Sequence, residues 1–375
     1  MVMPLGPDFA KALSIPVDKI GVIAGSYTLA AALFGVVAAL FLDRFQRRRA
    51  ILICLAGLIA ATALGAVVWS EGSMMMARLS AGAFGGPLSA LGIALVADNI
   101  LPERRGTAMG KVMGGFALAS VLGVPFGLEL ARHFSWHAPF LSTAGFGVMI
   151  WFLAMHWLPA YAPKHKPVPV RAMLKDIGRL LSQPVTLYSY CMMALVMMSG
   201  FMIIPNISAY LQYNLQVPRD YIAVLYLLGG SISFFSMRLV GILVDRWSAV
   251  KTMWSFTLLY LAVMSIGFVQ EPQAVPITIV FVCFMVSMTG RGVASQTLTS
   301  KVPQPALRGA FLSLQSSVTH IATSIGAGYS AAILKSTESG VLVGVTTLAY
   351  SAMIVALIAP FLYQKIANII AEKQQ

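Results

Sequence analysis

Apolar stretches of 18 to 28 residues, separated by polar segments, make up most of the chain. They fall at 19–42, 50–69, 74–98, 107–131, 138–158, 185–212, 220–243, 252–269, 276–299, 309–334 and 341–363. A helix rises ~1.5 Å per residue, so each stretch can cross a hydrocarbon layer of about 30 Å. A soluble helix shows a polar face at a period of about 3.6 residues. These stretches have almost no polar positions to build one, so the pattern predicts eleven membrane-spanning helices and an all-α protein that partners the lipid bilayer.

Composition agrees. The chain is 58% hydrophobic and 10% charged, where a soluble domain carries about 25% charge. The net charge of +13 lies between the spans rather than in a basic module with interleaved aromatics, which excludes nucleic acid as the expected partner. Most Lys and Arg residues lie in 43–49, 99–106, 159–184, 245–251, 300–308 and 364–375, whereas the alternate segments offer Lys11, Lys19, Arg132, Arg219 and Lys335. The positive-inside rule therefore places the Arg-rich segments and the C-terminus in the cytoplasm, as in a bacterial inner-membrane protein. Eleven spans would then leave the first residues outside. No basic region precedes the first apolar run, so a cleavable signal is not expected. Cys54, Cys191 and Cys283 lie within apolar runs at no metal-ligand spacing and read as reduced packing residues.

An internal repeat accounts for the odd count. Asp43-Arg44-Phe45 recurs as Asp245-Arg246-Trp247 at an offset of 202, Arg105-Gly106 recurs as Arg308-Gly309 at 203, and Gly123 falls on Gly326. The chain therefore reads as two homologous parts, 1–158 and 185–375, joined by a Pro-rich cytoplasmic linker at 159–184. The same register pairs Pro4 with Pro205, Pro16 with Pro218 and Asp18 with Asp220. About 20 apolar residues precede Pro205 but only three residues precede Pro4. The expected design is six plus six spans with the first helix truncated, from a late start codon or as a genuine eleven-span form.

Asp43-Arg44 followed by Arg47-Arg48, between the second and third spans of such a design, resembles the loop signature of the major facilitator superfamily. Gly241, Leu243, Asp245 and Arg246 match the core of that signature in the second part. Ala39, Gln46 and Ser248 stand where the family has glycine. Arg78 with Gly82, Gly85 and Gly86 resembles the family's fourth-span motif. Gly123-Val124-Pro125-Phe126-Gly127 resembles the fifth-span element of proton-coupled drug and sugar efflux permeases. Trp136 and Phe140 fit the start of the sixth span. The resemblance implies two six-helix halves around a central cavity, with each half holding an inverted repeat. It implies proton-coupled efflux of a small organic solute by a monomer.

The residues themselves refine the expectation. Topology explains the arginines of 44–49 but not an aspartate at the same point of both parts. A carboxylate at a helix end can pair with Arg in one conformer and release it in another, which makes Asp43, Arg44, Arg47, Arg48, Gly241, Asp245 and Arg246 gate candidates. A charge at a span centre costs about 2.5–3.5 kcal/mol, so Arg78 and Arg291 read as cavity or gate residues, with snorkelling as the alternative for Arg78. Glu129 and His320 are the titratable candidates for carrying a proton. A pair with Arg132 is the alternative for Glu129, and a hydrogen bond to Thr319 or Ser316 for His320. Asp8 is a further candidate. Gly82, Gly86, Gly123, Pro125 and Gly127 read as close-packing positions. No enzyme is predicted. Gly106 to Lys111 has glycine spacing one short of a phosphate loop, and Val112 replaces its Ser/Thr. Uphill transport must then draw on an ion gradient, of protons by the resemblance, with no cofactor. Import or facilitated flux, and a non-transporting sensor or inactive remnant, are the alternative readings.

Overall fold

The computed structural model describes residues 3–39, 46–100, 115, 119–158, 170–270, 275–304 and 307–372. A short helix, α1 (Gly6–Ala12), leads into α2 (Ile20–Ala39), α3 (Arg47–Leu64) and α4 (Glu71–Asn99). A π turn (Ala119–Gly123) continues into α5 (Val124–His133), and α6 (Ala138–Trp157) follows. After a linker helix, α7 (Val170–Leu181), come α8 (Pro184–Phe201), α9 (Arg219–Arg246), α10 (Ala249–Met264), α11 (Ile277–Thr299), α12 (Arg308–Ile333) and α13 (Val345–Glu372). The only sheet among the described residues is a two-stranded hairpin, β1 (Lys335–Ser336) against β2 (Leu342–Val343).

Local chemistry sets several boundaries. Proline occupies the first turn of α5, α6 and α8, where its missing N–H costs nothing. Ser70 caps α4: its hydroxyl accepts the Ser73 N–H at 3.2 Å, and the Ser73 hydroxyl accepts the Ser70 N–H at 2.9 Å. Pro205, whose ring nitrogen cannot donate to a helix ladder, interrupts α8. Beyond it the span runs on through a 3-10 turn (Ile204–Asn206), a single α-helical turn (Ile207–Ala209) and a π turn (Tyr210–Asn214).

Among the described residues, seven segments are long and apolar enough to span a bilayer by themselves: Val17–Ala38, Ala138–Trp157, Pro184–Asn214, Arg219–Arg246, Ala249–Val269, Ile277–Thr299 and Val345–Glu372. The expected spans at 50–69, 74–98 and 309–334 are also helices, α3, α4 and α12, of 18, 29 and 26 residues. They are diluted by arginine, glycine and serine. The expected span at 107–131 is described only at 115 and from Ala119 onward.

Two features depart from expectation. The last span starts at Val345 rather than 341 because Leu342 and Val343 pair with Ser336 and Lys335 in a hairpin, with Gly340 in its turn at φ of 85° and Gly344 between the hairpin and α13 at 95°. Only glycine adopts such angles without strain. The expected linker contains α7, whose Leu180 is buried against Tyr190, Leu307 and Phe311.

Packing places α2 between α4 and α12, α8 between α12 and α13, and α11 against α9 and α10. Where α2 crosses α4, Gly82 and Gly86 meet the backbone of Tyr27 and Ala31, so the two helices touch main chain to main chain. The outer face of α6 carries Leu141, Phe146, Met149, Ile150 and Phe152, all at least half exposed. In a bilayer these side chains face lipid.

Candidate functional site

The helices before residue 158 meet those after 184 at the end opposite the Arg-rich segments. On one side, α2 lies along α12. A Cβ on Gly21 would stand 2.6 Å from the Ala327 carbonyl oxygen, and one on Gly25 would be 3.3 Å from the Ala327 methyl. Just beyond α2, Ser336 Oγ donates to Asp18 Oδ1 at 2.9 Å. On the other side, α5 lies along α9, and Arg132 Nε reaches Asp220 Oδ1 at 2.9 Å. The neighbouring Arg219 forks onto Asp8 through Nε to Oδ1 at 3.0 Å and Nη2 to Oδ2 at 2.9 Å. The repeat relates the two sides. Asp18 and Asp220 are equivalent positions, and an offset of 203 carries Arg132 onto Lys335, the neighbour of Ser336. The two aspartates thus each meet the far end of the other set of helices, one through an ion pair and the other through a hydroxyl–carboxylate bond.

Glu129 belongs to this rim. Glu129 is one turn before α5 ends at His133, and the pairing with Arg132 that the i, i+3 spacing offered is present. Its side chain is 41% exposed and lies 3.4 Å from both Arg132 Nη1 and His133 Nε2. Gly127 and Leu128 are buried, Pro125 starts α5, and Gly123 closes the π turn with open space around it.

At the Arg-rich end, Asp43 and Arg44 fall outside the described residues. Arg47 and Arg48 open α3, and Arg48 Nη2 donates to the Met155 carbonyl of α6. Asp245 and Arg246 end α9, both exposed and, among the described residues, in no salt bridge. Gly241, one turn earlier, has open space where a side chain would be. A polar surface pocket of about 430 Å³ lies between α7 and the α11–α12 connection, lined by Asp176, Arg179, Ser182, Gln183, Gln304 and Leu307. None of the candidate residues lines it.

Three candidates lie between the ends. His320 is on α12, one turn from Ser324 towards the Arg-rich end and on the same helix face, where α12 leaves its close contact with Gly25. It is half-buried, and its ring has no hydrogen-bond partner among the described residues. Arg78 on α4 stands 5.5 Å from the Phe140 ring centroid, with Nε and Nη2 buried and unpaired. Arg291 on α11 is fully buried among the C-terminal helices: Nη2 donates to Ser199 Oγ of α8 at 3.1 Å, and Cζ lies 4.7 Å over the Tyr260 ring of α10.

Three uncharged amides also lie inside the spans. Asn206 Nδ2 donates to Ser330 Oγ at 2.8 Å, leaving Oδ1 buried and unpaired. Gln315 Nε2 donates to Gln296 Oε1 at 3.0 Å, leaving its own Oε1 unpaired, and Gln212 Nε2 is buried without a partner. An amide inside an apolar run was the available signal, because an unpaired buried amide costs about 1–3 kcal/mol.

A profile of the Major Facilitator Superfamily matches residues 1–327. Two relatives come from Bacillus subtilis (strain 168). The uncharacterized MFS-type transporter YceJ is 27% identical over 186 residues, 50% of this chain and 47% of the relative. The uncharacterized MFS-type transporter YfhI is 25% identical over 177 residues, 47% of this chain and 44% of the relative. The matched region thus spans about half the length of these relatives. Among solved structures, a bacterial homolog of the human lysosomal transporter Spinster, inward-facing and occupied, superposes with a TM-score of 0.76 at 13% identity, covering 98% of this chain and 92% of that one. A D-xylose-proton symporter gives 0.71 at 16% identity, covering 96% and 91%. At such identities the likeness is one of fold.

Proposed function

Since the chain belongs to the major facilitator superfamily of membrane transporters, we propose that it exports a small organic solute across the bacterial cytoplasmic membrane in exchange for protons. The observation that carries this reading is the closure at the end opposite the Arg-rich segments. The Arg132–Asp220 and Arg219–Asp8 pairs, the Ser336–Asp18 bond and the Gly21/Gly25 seam join the two sets of helices at one end. Asp245 and Arg246 at the other end have no ion-pair partner among the described residues. With the Arg-rich end cytoplasmic, the joined rim is the outer gate of alternating access between halves 1–158 and 185–375. Asp43–Arg44 and Asp245–Arg246 then act as the opposite gate, forming contacts when the rim releases. Gly241 lets α9 be approached there.

His320 is the proton carrier in this reading. It is half-buried beside the α2–α12 seam, its ring has no hydrogen-bond partner among the described residues, and an imidazole can take up and release a proton. Glu129 acts at the rim, where its protonation would release Arg132 wholly to Asp220. Each proton entering down a membrane potential supplies about 2.3 kcal/mol per 100 mV. A symporter of the same fold favours import as the second reading.

Purified protein in proteoliposomes, with a panel of labelled sugars, metabolites and cationic drugs and an imposed pH gradient, tests both. Export predicts flux of a panel member against the proton flow, and import predicts flux along it. His320→Ala should abolish gradient-driven flux while leaving counterflow exchange. Gradient-driven flux surviving in both His320→Ala and Glu129→Gln would refute the proton-site assignment.

A further inference from the structure

The sides of α7 meet different surroundings. Its sequence, VRAMLKDIGRLL, carries a basic residue at every fourth position, Arg171, Lys175 and Arg179, and an apolar set that ends in Ile177, Leu180 and Leu181. Residues four apart share a helix face, so α7 is amphipathic. Leu180 is buried against Tyr190 of α8 and against Leu307 and Phe311 at the start of α12. Leu181 stays 40% exposed, and Lys175 and Arg179 are exposed. Packing on the other helices thus uses only part of the apolar side.

Chain position sets the depth of the cavity beside α7. Ser182 and Gln183 directly precede Pro184, the first residue of α8, and Leu307 directly precedes Arg308, the first of α12. A bilayer has a hydrocarbon core of about 30 Å and measures about 40–45 Å with its headgroups, so residues just outside a span lie at headgroup depth. The cavity of about 430 Å³ opens there, walled by Arg179, Ser182, Gln183 and Gln304 together with Asp176 and Leu307. Lys301 on the α11–α12 connection and Arg308 are exposed as well. The segments around the cavity therefore carry four exposed cations, Lys175, Arg179, Lys301 and Arg308, against one acid, Asp176. Among the described residues none of these five is in a salt bridge. Charge of one sign around a cleft concentrates counter-ions, and at this depth beside an exposed leucine the counter-ion to hand is a lipid phosphate.

We propose that α7 and the start of α12 bind an anionic phospholipid of the cytoplasmic leaflet, of the phosphatidylglycerol class, with its phosphate in the cavity beside Arg179. The hydroxyl of Ser182 and the amides of Gln183 and Gln304 supply neutral donors to the same headgroup. The lipid fastens α7, and with it the linker between the two halves, to the membrane surface. The site is separate from the proton carried by His320, so it holds whatever the cargo.

The test is thermal unfolding of the purified full chain in neutral detergent with added phosphatidylglycerol, phosphatidylcholine or inorganic phosphate. Phosphatidylglycerol should raise Tm saturably, by about 2 °C or more over phosphatidylcholine, because only the folded state binds it. Native mass spectrometry should show one phosphatidylglycerol held more tightly than any further copies. In Arg179→Gln/Lys301→Gln the dissociation constant for that lipid should rise about tenfold or more, since each lost cation weakens the attraction. The control Arg49→Gln/Lys251→Gln removes the same charge from α3 and α10 and should keep the affinity. Both pairs are exposed, and the Tm of each variant in phosphatidylcholine reports that it folds. An equal rise with phosphatidylcholine would overturn the site, as would equal losses in the two variants. A rise with inorganic phosphate matching that with the lipid would also overturn it, by assigning the cavity to a soluble anion.

Discussion

Arg219 and Asp220 are consecutive, yet their side chains answer different partners, and their settings predict different strengths. The Arg219–Asp8 pair is two-pronged and about a quarter exposed, whereas Arg132 and Asp220 are 43% and 62% exposed. Exposed pairs contribute about 0.2–1 kcal/mol, and a forked, partly shielded one somewhat more. Asp8→Asn should therefore shift the population away from the closed rim by about fivefold, and Asp220→Asn by about twofold or less. Spin-label distances between Lys11 and Ser339, in a background free of other cysteines, measure both. A larger effect from Asp220→Asn would contradict the ranking. At this scale the sequence disclosed residue types better than roles. Arg291 was visible as a charge at a costly depth, but not that it turns inward to Tyr260. The pairing of Glu129 with Arg132 was legible as an i, i+3 spacing, whereas the contact of Arg132 with Asp220 was not, because it crosses to another helix. Asn206, Gln212 and Gln315 are uncharged, so hydropathy passed over them.

Helices were the most legible level, because a bilayer forces each span to be long, apolar and internally hydrogen-bonded. What escaped was local. The hairpin that delays α13 depends on Gly340 and Gly344, and α7 gains its stability from burying Leu180 against other helices rather than from its own residues. Helix contacts also separate glycines that look alike in sequence. A Cβ at Gly86 would collide with the Ala31 backbone, which cannot yield without moving α2, whereas Gly241 faces open space. Gly86→Ala should destabilise by about 1–3 kcal/mol through overpacking. Gly241→Ala should be neutral or stabilising by up to about 1 kcal/mol, since alanine is the better helix former. Melting of the two variants side by side decides this, and equal Tm values would argue against the α2–α4 contact.

At the level of the whole molecule, the two-fold repeat read from Asp43 and Asp245 extends to contacts no sequence offset reveals alone. Asp18 and Asp220 each reach across to the end of the other part, one to Ser336 and one to Arg132. The register was legible; the partners required the fold, because they lie 318 and 88 positions apart. The two sides are nevertheless unlike in substance. Both full ion pairs converge on the first turn of α9, while the α2–α12 side is glycine against alanine backbone with one hydroxyl bond. Mobile ions shorten the reach of exposed charges from about 10 Å at 0.1 M to about 3 Å at 1 M, and leave van der Waals contact untouched. Concentrated salt should therefore unfasten the α9 side first, so that labels across α5 and α9 separate while labels across α2 and α12 keep their distance. The rim would open like a door, with the glycine seam as its hinge and the saline medium as the hand on the latch.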